Sequence, residues 1–188
     1  MFRSLMSLDE AKDTIRKHFE IKPLGIEEIS LLDAYGRVLA SDVVSELNIP
    51  PFNRSTVDGY AVRAEDTFGA YENRPVRLKI CGTVNIGEMP KVSVGHKEAA
   101  EIMTGAPIPN GADAVVMSEY TERKNGEVYI YKAVAKGANI MKAGSDIKKG
   151  EKVLEKGVTL GAREIGALAA IGASKVKVYK VPRVAILS

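Results

Sequence analysis

The sequence holds one cysteine, no tryptophan and two histidines. A lone Cys81 excludes an internal disulfide and reads as a small buried hydrophobe, and His18 with His96 are too few for a zinc-type cluster. No apolar run approaches the roughly 20 residues that cross a bilayer. The opening MFRSLMSLDEAK lacks the apolar core of a signal peptide, so the reading is a cytoplasmic protein with no membrane partner. Nor is there a large surplus of one charge. Its 27 basic and 24 acidic residues are interspersed for a net charge of +3, which leaves no strong electrostatic footprint for nucleic acid. Seventeen glycines invite a search for phosphate loops. No G-x-x-x-x-G-K-[ST] occurs, no G-x-G-x-x-G follows a strand, and G-x-S-x-G is absent too. High charge with no tryptophan and one cysteine also suits a thermophile.

What is present suffices for a folded protein, since 45% of 188 residues are hydrophobic. Ser7 and Glu10 form a capping box that opens a helix, with Leu8, Ala11, Ile15 and Phe19 on one stripe, His18 in its last turn, and Pro23 and Gly25 closing it. A short helical turn over 30–34 ends at Gly36, and Val38 to Val44 is extended. From about Pro50 the pattern becomes β-rich: Gly59–Arg63, Val76–Ile86, Lys91–Val94, Ala114–Thr121 and Val128–Val134. Lys97–Ile102 has a helical composition, and Asn125-Gly126 predicts a type I′ hairpin turn. After Gly150 come a Lys152–Leu154 strand, an Ala162–Ile171 helix and a Lys175–Tyr179 strand. The hydrophobic run Val184–Leu187 is expected to be the first strand of a further domain that the chain lacks.

Three polar loops stand out. Pro50-Pro51 stiffens the approach to Asn53, Arg54, Ser55, Thr56 and Asp58-Gly59. Met103 to Asp113 puts Thr104 and Gly105 in a proline-rigidified loop, and Lys142 to Lys149 sets Ser145 and Asp146 among lysines. Each has a plain reading: an Asp-Gly turn, a structural corner, a solvated loop. Each also has a chemical one, because carboxylates can hold a hard cation and a hydroxyl can face a phosphate or oxyanion.

The blocks NRSTVDGYAVRAED, EIMTGAPIPNGADAVVMSEYT, KAGSDIKKGEKVLEKG and REIGALAAIGASKVKVYKVPRVAILS resemble, in order, the signature blocks of the MoeA-type molybdopterin molybdenumtransferases, the family that includes the gephyrin E domain. The resemblance implies an α+β fold: an elongated α/β dimerisation domain formed by both ends of the chain (1–48 and 147–181), with an inserted β-rich, barrel-like domain (49–146). Residues 182–188 would begin a molybdopterin-binding domain. The implied reaction inserts molybdate or tungstate into adenylylated molybdopterin and releases AMP with Mg2+. The family match makes Asp58, Thr104 and Asp146 the catalytic positions, with Asp58 and Asp146 holding the metal and Thr104 positioning an oxyanion. Ser55, Gly59, Gly105, Glu119, Lys142 and Ser145 are the implied substrate-binding positions, and Met141 stands where an arginine is common. Implied partners are a second copy of the chain and the adenylyltransferase that supplies the substrate. In the family each site is shared between subunits, so this chain is expected to supply half a site and to be inactive alone. The alternatives are a non-catalytic interaction or dimerisation module and, against the charge pattern, a small RNA-binding barrel.

Overall fold

The structure, a computed structural model, describes residues 6–19 and 22–186. Val44–Val153 forms one compact unit, and the chain on either side of it forms another.

In the unit made from the two ends, the capping box at Ser7 is formed: the Ser7 N–H donates to Glu10 Oε2 at 2.8 Å and the Glu10 N–H to Ser7 Oγ at 3.3 Å. The Leu8–His18 helix that follows buries none of its residues. Ile26–Ser30 is a strand, paired antiparallel with Lys175–Tyr179 from Ile26 opposite Tyr179 to Ser30 opposite Lys175. Sequence pattern missed this strand, because Ile-Glu-Glu-Ile-Ser does not alternate and its partner lies some 150 positions away. Leu31–Asp33 forms a 3-10 turn, and the second helix spans Ala162–Ala170, its first turn held by Glu164 accepting from the Gly161 N–H at 3.0 Å. Leu39, Leu160, Leu168 and Val178 are fully enclosed and make this unit's core.

Six strands dominate the other unit, in the spatial order Ala114–Met117, Gly59–Val62, Glu98–Ile102, Val76–Val84, Glu127–Ile130, Thr121–Lys124. All neighbours are antiparallel except Glu98–Ile102 beside Val76–Val84. The result is a mixed, sheet-rich fold with few helices. Gly59–Val62 is buried along its whole length because it feeds two cores. Tyr60 and Val62 pack with Leu78, Ala99, Val116, Val128 and Ile130, whereas Ala61 packs with Val84, Ala100, Ile102 and Val115. The period-2 alternation of a strand sends successive side chains to opposite faces, and here both faces are covered.

Four expectations change. Lys97–Ile102 is not helical: Glu98–Ile102 is a strand bonded on both sides, where tertiary pairing overrides the helix preference of Glu-Ala-Ala-Glu. Lys91–Val94 forms no strand beyond a single bridge from Ser93 to Asn110. Residues 182–186 carry no strand, with Val184 and Ile186 exposed, and Leu187 lies outside the described residues. Cys81 is half-buried rather than fully enclosed. The Asn125-Gly126 turn is as expected, with positive φ at both residues and Lys124 opposite Glu127.

Candidate functional site

The segment from Ile49 to Ser55 carries a polar loop on either side. On one flank, the Gly105 N–H donates to the Ser55 carbonyl at 2.8 Å, the Ser55 N–H to Ala106 O at 3.0 Å, and the Ile108 N–H to Asn53 O at 2.9 Å. On the other, Ile140–Met141 pairs antiparallel with Arg54–Ser55, and the amides of Ala143, Gly144 and Asp146 donate to Asn53 Oδ1, Pro50 O and Ile49 O, each at 2.9 Å. Two stretches remote in sequence therefore meet on one short segment, joined to it by backbone groups and by the Asn53 side chain.

Asp58, just past that segment, touches one of them through its side chain. Its Oδ1 accepts from the Thr104 N–H at 2.7 Å and from the Thr104 hydroxyl at 2.9 Å. The amide first, and then the hydroxyl, hold the Asp58 carboxyl below the usual aspartate range, since both bonds favour the ionised form. Oδ2 receives no hydrogen bond from any described residue. Both Thr104 donors face Asp58. Gly59 is needed by contact. A Cβ there would sit 2.9 Å from the Val116 carbonyl carbon and 3.0 Å from the Ser118 nitrogen, with the Val116 oxygen nearer still. Gly105 lies in open space at φ +86°, the conformation that lets the chain turn straight after Thr104.

A cavity of about 520 Å³ opens beside this pair, lined by Asp58, Thr104, Glu101, Met103, Ser118 and Thr121 among others. Glu101 and Ser118 were not anticipated as site residues. Glu101 directly precedes the Ile-Met-Thr-Gly motif, and its strand position opposite Tyr60 is a tertiary fact. Burial, and then Glu101, push the Tyr60 phenol up, so it stays protonated.

The other expected residues are placed less centrally. Ser55 is buried, and its hydroxyl is spent on the turn, donating to Val57 O and accepting from the Val57 N–H. It shapes the loop that ends at Asp58. Lys142, Ser145 and Asp146 are exposed on the far flank, where Ser145 Oγ donates to Asp146 Oδ1 at 3.5 Å, and none of the three lines the Asp58 cavity. Glu119 borders a neighbouring cleft instead. Among the described residues no three His, Cys, Asp or Glu side chains gather as a metal group. Asp58 still fits a hard cation that takes one or two carboxylates and completes its shell with water and phosphate, because it is exposed, ionised and open at Oδ2.

Residues 6–172 match the family model of the MoeA N-terminal region, domains I and II. The chain belongs to this family. The resemblance of the four motif blocks is thereby borne out. A molybdopterin molybdenumtransferase of Staphylococcus epidermidis is 36% identical over 187 residues, which is 99% of this chain and 44% of the relative. One from a Nostoc species is 36% identical over 188 residues, covering 40% of that relative. The crystal structure of a molybdopterin biosynthesis MoeA protein from Pyrococcus horikoshii superposes with a TM-score of 0.84 at 48% identity, over 95% of this chain and 45% of that one. This MoeA N-terminal region thus spans under half the length of the relatives it matches. No described helix is long and apolar enough to cross a membrane.

Proposed function

We propose that this chain acts in molybdenum cofactor biosynthesis, contributing to the insertion of molybdate or tungstate into adenylylated molybdopterin with release of AMP. The observation that carries this reading is the Asp58–Thr104 pair, in which two motifs 46 positions apart build one ionised, outward-facing carboxylate. Thr104 holds Asp58 in place and favours its ionised form. Asp58, and Asp146 from the flanking loop, would hold Mg2+ against the phosphates of the substrate, and the cation would supply charge neutralisation as AMP departs. Lys142, Lys148 and Lys149 offer positive charge for the incoming oxyanion.

The same reading makes 49–146 the inserted β-rich domain, and 1–48 with 147–181 the elongated dimerisation domain. Homodimerisation is supported by the Leu8–His18 helix and its C-cap, where Leu8, Ile15 and Phe19 are 71%, 63% and 64% exposed. A half-site in each chain, completed by another domain, accounts for an Asp58 open on one side.

The test is molybdate-dependent release of AMP from adenylylated molybdopterin by a full-length relative carrying the equivalents of Asp58→Asn and Thr104→Val. Losing the group that orients a metal-holding carboxylate should cost roughly 10–100-fold in rate, and losing the carboxylate at least as much. Unchanged turnover in both variants would overturn the proposal.

A further inference from the structure

Arg54 and Met141 face each other across the short antiparallel pair that joins two of the polar loops. At the neighbouring position Ile140 packs against the apolar cluster that holds Ala61, so strand alternation turns Met141 to the opposite face, where Arg54 stands. Met141 belongs to neither of the clusters that Gly59–Val62 feeds. Both residues are half-buried, and the guanidinium aims two donors at the sulfur: Arg54 Nε lies 3.3 Å and Nη2 3.2 Å from Met141 Sδ. Arg54 makes no ion pair and no other side-chain hydrogen bond with a described residue.

The donors of this contact are far stronger than its acceptor. A two-donor edge of a guanidinium is what grips a carboxylate or phosphate, whereas a thioether sulfur accepts hydrogen bonds weakly. A charged fork is thus spent on a neutral atom. Methionine has one chemical route to becoming a strong acceptor, since oxidation to the sulfoxide places a polar oxygen on the sulfur itself. The unbranched, flexible chain of Met141 can draw back by the length of the new bond, and the oxygen then takes the sulfur's place in the fork.

We propose that Met141 is an oxidation site whose sulfoxide is received by Arg54, so that a hydroperoxide tightens this joint instead of loosening it. With hydrogen peroxide, a lone pair of Met141 Sδ attacks one peroxide oxygen and the O–O bond breaks. The proton on the transferred oxygen passes to the departing hydroxide, and water leaves. Sulfur is oxidised by two electrons and the peroxide is reduced by the same two. A sulfoxide disrupts an apolar core, but Met141 stands outside both clusters of its unit's sheet. The new charge-assisted bond adds to those that already hold Ala143, Gly144 and Asp146 to the segment from Ile49 to Asn53. The inference goes beyond the functional reading above and does not depend on it.

The experiment treats the 188-residue chain with hydrogen peroxide, follows each methionine by peptide mass spectrometry, and measures the urea midpoint before and after. Met89 and Met103, 73% and 46% exposed, should oxidise first and Met141 after them. Met141→Leu treated in the same way subtracts the effect of the other methionines. The midpoint change on oxidation should be roughly 0.5 M more favourable in the parent than in Met141→Leu, the scale of one hydrogen bond to a charged group over the usual urea slope. Arg54→Leu should abolish that gain. Where Arg54→Leu fails to fold, Arg54→Lys serves instead, because it keeps the charge and loses the two-donor fork. Met141→Gln is the peroxide-free counterpart, with an amide oxygen near the place of the sulfoxide oxygen. Its midpoint should exceed that of Met141→Leu when Arg54 is present and not in the Arg54→Leu or Arg54→Lys background. A Met141 left unmodified when Met89 and Met103 are fully converted overturns the proposal. So does a midpoint change no more favourable in the parent than in Met141→Leu, or a gain of equal size without the Arg54 fork.

Discussion

Replacing Gly59 with alanine should damage this protein more than any comparable change in a turn. The added Cβ meets the Val116 carbonyl at distances real Cβ atoms essentially never show, sits tightly against the Ser118 nitrogen at 3.0 Å, and φ is +157°. Relief requires the Ala114–Met117 strand to retreat from its neighbour. That opens the Gly59–Met117 pairing and stretches the 3.0 Å bond from the Ser118 N–H to the Asp58 carbonyl. Leaving one or two such groups unsatisfied costs about 1–3 kcal/mol each, and holding a non-glycine residue at this φ adds about 1–3 kcal/mol. A total of about 2–6 kcal/mol with one such group lost, and up to about 9 kcal/mol with two, is a large share of the usual 5–15 kcal/mol of stability. Gly126→Ala is the internal control. Gly126 also has positive φ, +80°, but open space around it, so it should lose only the left-handed penalty of about 1–2 kcal/mol. Urea unfolding followed by far-UV circular dichroism would separate the two midpoints by about 1 M, given slopes of about 1–3 kcal/mol per molar. If Gly59→Ala cost no more than Gly126→Ala, the argument from close strand approach would be refuted.

Two further predictions follow from the site and the core. Because the folded Asp58 carboxyl lies below its unfolded value, its contribution to stability is present above the unfolded value and is lost as pH falls through the folded one. Thr104→Val removes the hydroxyl donor and retains the amide, so a carboxyl 13C titration should find Asp58 moved part of the way up; an unmoved titration would show that the hydroxyl bond does not act on the carboxylate. Leu78 is 1% exposed among Tyr60, Val62, Val128 and Ile130. Leu78→Ala should therefore cost about 2–5 kcal/mol in a urea titration, and a loss under about 1 kcal/mol would mean that the cluster collapses around the gap.

Local chemistry carried through from the sequence wherever a structure needs only its own neighbours. The Ser7–Glu10 capping box, the Asn125-Gly126 turn and the second helix all depend on residues within a few positions of one another. The four motif blocks point to the family from sequence alone, because such blocks record a shared fold and not a local propensity. Glu-Ala-Ala-Glu-Ile misled for the converse reason: its helix preference of a few tenths of a kcal/mol per residue is outweighed by hydrogen bonds and burial on both sides of a central strand.

The candidate site divides along the same line. Residue type and loop chemistry singled out Asp58, Thr104 and Asp146 as able to bear charge or a hydrogen bond. Only the folded chain decided that Thr104 turns both donors to Asp58, that Ser55 is consumed by its own turn, and that Asp146 and Glu119 sit outside the Asp58 cavity. Donor direction and cavity membership are set by strand pairing between segments 40 to 90 positions apart, a length scale on which side-chain chemistry carries no orientation.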